Sequence, residues 1–65
     1  MIVKSYEYKG YLIEIEEHPI YHDFQFVVKT LDQKEIKCTN ICLYKNLLDA
    51  ELSAQLNINN NFQYD

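Results

Sequence analysis

Two pairs of side chains in this sequence have the types needed for ligand chemistry. His18 and His22 form one pair and Cys38 and Cys42 the other, each with three residues between. Two imidazoles and two thiols are the donor set of a tetrahedral zinc site. The histidines lead here, however, and the cysteines lack the tight two-residue spacing common in such sites. The plainer reading makes Cys38 a small core hydrophobe and lets the histidines decorate a turn. A zinc-stabilised module on His18, His22, Cys38 and Cys42 is kept as a minor alternative, and no cofactor is expected. Nucleophilic catalysis is weaker still. A reactive thiol needs a cationic neighbour or a helix N-terminus to lower its pKa, and only Cys42, shortly before a helix, hints at one. With no glycine-rich loop and no oxyanion motif, no enzymatic activity is expected.

Charge chemistry offers two further candidates. Ten acidic residues face six lysines with no arginine, for a net charge of −4 over 65 residues. Arginine is the usual bidentate reader of guanine and phosphate, so its absence argues against a nucleic-acid partner. Lys29, Lys34, Lys37 and Lys45 are the residues from which a basic patch would be built. Glu7, Glu14 and Glu16 recur at strand spacing and fall on one face. A carboxylate row of this kind can imitate a phosphate backbone, as phage-encoded inhibitors do, or can simply keep a small protein soluble.

The elements that position these residues follow from periodicity. Ile2–Tyr8 and Tyr11–Glu17 alternate apolar and polar residues around Lys9-Gly10, which is the signature of a two-residue hairpin. Pairing across that turn sets Tyr8 against Tyr11, Tyr6 against Ile13 and Lys4 against Ile15. Val3, Ser5, Glu7, Leu12, Glu14 and Glu16 then share the outer face. Pro19 rules out a central strand between Glu17 and Asp23. Phe24–Thr30 resumes the alternation, and 35–39 follows with Ile36 and Cys38 as its apolar side. A three-residue loop at 32–34 would set Val28 against Cys38 and Thr30 against Ile36, with Lys34 where a glycine is usual.

The remainder is helical. Asn46 is an N-cap candidate with Asp49 as its capping-box partner. The helix, expected over 47–58, carries two apolar stripes. Leu47, Ala50, Ala54 and Ile58 make the first, and Leu48, Leu52 and Leu56 make the second. Asp49, Ser53 and Asn57 are assigned to solvent. Tyr21 and Tyr44 fall in connections, free to act as contact residues.

These elements predict a two-layer α+β domain over 1–58: an antiparallel β-meander of three to four strands with one C-terminal helix on one face. A tail over 59–65 is expected to fray. The segment Asp49-Ala50 followed by Ala54 is similar to the helix of HicB-like antitoxin domains. The Gly-Cys and Gly-Asp/Glu-Thr segments of that family are missing, so the resemblance carries over no functional residue. No apolar run is long enough for a secretion signal or a membrane span, which predicts a cytoplasmic protein with reduced thiols and no membrane partner. The expected function is a non-enzymatic binding or regulatory module that occupies a protein partner. Its surfaces would be the acidic face and the leucine stripe, the latter serving either a partner or a homodimer. A core this small often recruits a second chain.

Overall fold

The computed structural model describes residues 1–40 and 42–62. The chain forms β1 (Ile2–Tyr8), β2 (Tyr11–Glu17), β3 (Phe24–Thr30), β4 (Ile36–Thr39) and α1 (Leu47–Asn59). The strands make one antiparallel sheet in the order β1-β2-β3-β4, and α1 lies across β2 and β3 on one face. This is the α+β meander that the alternation predicts. Residues 63–65 of the expected tail lie outside the described residues.

The first hairpin closes as its dipeptide dictates. Lys9 and Gly10 both adopt left-handed conformations, with φ of 49° and 86°. That pair of signs is the type I′ turn, whose twist matches the flanking strands. Tyr8 pairs with Tyr11, Tyr6 with Ile13 and Lys4 with Ile15, while a bulge between Ile2 and Lys4 shifts the strand's first residues. In the second connection His18 does structural work. Its Nδ1 accepts from the backbone N–H of Ile20 at 3.2 Å and of Tyr21 at 3.4 Å. His22, at φ 59°, reverses the chain into β3.

The β3–β4 register is only partly as expected. Val28 faces Cys38, but a bulge places Ile36 opposite Lys29 in place of Thr30. Ile36 is consequently 61% exposed and does not join the core side of the sheet. The left-handed residue of this loop is Gln33 at φ 62°, one position before Lys34. Asp32 compensates for the missing glycine. Its Oδ1 accepts from the Thr30 hydroxyl and, at 3.0 Å, from the Lys34 N–H. Those bonds favour the carboxylate and hold its pKa below the ordinary value.

The core is Ile13, Ile15, Phe26 and Val28 from the two central strands, with Ala50, Ala54 and Ile58 from the helix. Small alanines at the contact let the helix axis approach the sheet closely. Asn46 caps the helix, accepting from the Asp49 N–H at 2.9 Å and donating back to its carboxylate at 3.0 Å. The far end is closed by a Schellman arrangement. The Phe62 N–H donates to the Asn57 carbonyl at 2.7 Å and the Asn61 N–H to that of Ile58 at 3.1 Å, with Asn61 at φ 54°. Phe62 then lands edge-on against Tyr11, with ring centroids 5.1 Å apart. Residues 59–62, expected in the tail, therefore finish the helix and its cap.

Candidate functional site

The feature of α1 that stands out is which side it turns outward. Residues four apart lie on one face of a helix, so Leu48, Leu52 and Leu56 form a single row. That row points away from the sheet, and the three side chains are 61%, 53% and 56% exposed. The helix is thus apolar on two opposite sides. Its inner side is built from alanines because the sheet demands close approach, which leaves the leucines without a layer to pack on.

The helix orientation also corrects one expectation. Asn57, assigned to solvent, is only 3% exposed. It lies beside Ala50 and Ala54 on the inner side, where its Nδ2 donates to the Ser53 carbonyl at 2.8 Å. Its Oδ1 has no hydrogen-bond partner. One flank of the inner side is tied to β1. Lys4 reaches Glu51 at 2.8 Å, and the Gln55 amide donates to the Tyr6 hydroxyl at 2.9 Å. The bond to Glu51 raises the Lys4 pKa, and burial raises that of Tyr6. At the end of the helix, Asn59 Oδ1 accepts from Tyr8 at 3.2 Å and from Lys9 at 2.6 Å.

Glu7, Glu14 and Glu16 share the uncovered face of the sheet, as the alternation predicts, but not as a uniform row. Lys29 lies diagonally across from Glu14 and pairs with it at 2.7 Å. The Gln25 amide donates to Glu16 at 3.4 Å. Of the three, only Glu7 is exposed, and Glu14 and Glu16 are partly buried. The lysines are answered in the same way: Lys37 pairs with Glu35 at 3.1 Å and Lys45 approaches Asp23 at 3.6 Å. The Glu14–Lys29 pair was readable in principle from the β2–β3 register, because diagonal neighbours on one face are within reach of long side chains.

The two histidines share the β2–β3 turn, but among the described residues no third ligand joins them. His18 has its Nδ1 committed to the turn, and His22 Nδ1 lies 3.2 Å from Glu17. Cys38 sits within the sheet opposite Val28, where burial raises its thiol pKa, while Cys42 is exposed after β4. Among the described residues, no three His, Cys, Asp or Glu side chains converge on a point that could hold a metal. Met1, Glu17, His18, Pro19 and His22 line a shallow cleft of about 240 Å³, smaller than ordinary ligand pockets.

Of the two connecting tyrosines, Tyr21 is exposed and lies on His18, with ring centroids 4.9 Å apart. Tyr44 is not free. Its backbone bridges Phe24 in both directions, at 2.7 and 2.8 Å, and its ring packs toward Phe26. No helix among the described residues is long and apolar enough to cross a membrane. Comparison with protein-family models, with curated proteins and with solved structures gives no match, so the functional reading rests on these residues alone.

Proposed function

We propose that this chain is a small protein-binding module that docks through the outer face of α1 and acts by occupying its partner. The observation that carries this reading is the row Leu48, Leu52 and Leu56, three adjacent large aliphatic side chains more than half exposed. A contiguous apolar patch on a soluble surface marks an interaction site more often than scattered single residues do. Helical anchors at four-residue spacing are the usual currency of helix-in-groove recognition. The acidic face is a poorer docking surface, because Lys29 holds Glu14 and Gln25 holds Glu16. A nucleic-acid reading through Lys29, Lys34, Lys37 and Lys45 is weakened in the same way, since three of the four already face carboxylates.

The test is affinity capture from the native host with three baits. The unaltered chain is expected to retain partners that Leu52→Glu loses and that Glu7→Lys/Glu14→Lys/Glu16→Lys keeps. Equal retention by the Leu52→Glu bait overturns the proposal. Loss with the triple variant alone would move the site to the sheet.

A further inference from the structure

We infer that the turn between β2 and β3 is a proton-operated catch, in which neutral His18 holds the Pro19-Ile20-Tyr21 tip and protonated His18 releases it. His18 Nδ1 accepts from two backbone donors, the Ile20 N–H at 3.2 Å and the Tyr21 N–H at 3.4 Å. The ring stands where a serine or asparagine would cap the first turn of a helix, and it closes the bend in the same way. An imidazole accepts at Nδ1 only in its neutral form, with the proton on Nε2. The charged ring carries an N–H at both nitrogens, so Nδ1 would then confront two further N–H groups. Histidine is the side chain that ordinarily makes this change between about pH 5 and about pH 8. The inference goes beyond the docking face of α1 and does not depend on it.

The charged groups around the ring come from each side of the turn. Glu17, at the end of β2, lines the same cleft as His18, and so does Met1 with its amino group on the β1 side. Glu17 is engaged by His22, whose Nδ1 lies 3.2 Å from its carboxylate, a contact that protonation of His22 strengthens. Asp23, where the turn enters β3, is answered by Lys45 at 3.6 Å. Among the described residues no carboxylate pairs with His18, so no ion pair offsets the two bonds that its protonation removes. The Tyr21 ring, centred 4.9 Å from that of His18, belongs to the tip and leaves with it. The base of the turn stays shut. The His18 N–H donates to the Asp23 carbonyl at 2.7 Å and the His22 N–H to the His18 carbonyl at 2.9 Å. Neither bond uses an imidazole nitrogen, so both are indifferent to ring charge. Acid therefore frees the exposed Ile20 and Tyr21 while the β2–β3 register is kept. The two histidines respond in opposite senses, His22 tightening on Glu17 at the foot of the turn as His18 lets go of its crown.

The test follows the backbone amides of the full chain by NMR between about pH 8 and about pH 5. Protection factors, which correct for the intrinsic pH dependence of exchange, should fall about five-fold at Ile20 and at Tyr21 on acidification, the worth of one hydrogen bond. Those of Ile13 and Val28 should not move. His18→Asn keeps an acceptor that does not titrate, as asparagine does at a helix N-cap, and should hold both amides at either pH. His18→Ala should leave them free at either pH. His22→Asn, which suits the left-handed backbone at that position, should leave the change at Ile20 and Tyr21 in place. Unchanged protection of the two amides across the range overturns the inference. So does a change that persists in His18→Asn or vanishes in His22→Asn, since either result takes the device away from His18.

Discussion

Among the described residues, Asn57 carries the one buried side-chain oxygen or nitrogen without a hydrogen-bond partner. Its amide is buried among alanines and Ile58, with Nδ2 bonded to a carbonyl that already serves the helix and Oδ1 bonded to nothing. An unpaired buried acceptor costs about 1–3 kcal/mol. Leucine has nearly the same length and removes the polar atoms, so Asn57→Leu is expected to stabilise the fold by about 1 kcal/mol. In a domain of this size that raises the melting temperature by roughly 4–8 °C. A thermal melt beside the unaltered chain reads it directly, and a lower midpoint would mean that the amide has a role the contacts do not reveal. The residue was misplaced in the sequence for a physical reason. Its polarity groups it with Asp49 and Ser53 on the solvent side, yet seven residues after Ala50 it returns to the same side of the helix as the alanines. With the alanines turned to the sheet for close approach, Asn57 is carried inward beside them.

Scale up to the elements and the local signals become reliable. Lys9-Gly10 and Asn46 each dictate a conformation that needs no tertiary contact to make sense, and both behave as their chemistry requires. Gly10 has φ of 86° with nothing within 4 Å of where a Cβ would stand. Gly10→Ala therefore carries backbone strain and no clash, a loss of about 1–2 kcal/mol, to be measured as a lower urea midpoint with an unchanged slope. The C-terminal cap is equally legible in the sequence, although 59–65 was expected to fray. Asn61 followed by Phe62 offers an αL-tolerant residue and then an apolar one, the pair a Schellman cap prefers. The β3–β4 turn was harder to read because its left-handed residue is Gln33, which gives no such signal.

For the whole molecule, proton linkage runs in one direction at the alkaline end. Burial raises the pKa of Cys38 above 9.0 and of Tyr6 above 10.0, and the Glu51 bond raises that of Lys4 above 10.5. Each group holds its proton more tightly folded than unfolded. The stability each contributes is present below those ordinary values and is lost as pH rises through the raised ones. Denaturant midpoints should thus be level near neutrality and fall above about pH 9, with Cys38→Val delaying the onset. Asp32, with its pKa lowered from 3.8, does the opposite, contributing stability that disappears as pH drops below that value. The architecture was open to sequence reasoning because a meander is assembled from neighbours. The Glu14–Lys29 pair and the Gln25–Glu16 bond that break up the acidic face follow only once the β2–β3 register is known, and the long turn between those strands does not dictate it.

Because α1 packs its apolar side on β2 and β3 and reaches β1 only through side-chain bonds at its flank, the molecule should keep time unevenly. Amide protons of β2 and β3, sealed beneath the helix, can exchange with solvent only when the whole fold opens. Those of β1 and β4 can be released by strands peeling at the margins while the centre stays shut. Hydrogen–deuterium exchange should accordingly show two tiers of protection across one continuous sheet, slow at Ile13, Ile15, Phe26 and Val28 and faster at Ser5 and Lys37. The same four-stranded surface would then be a rigid keel with two loose margins.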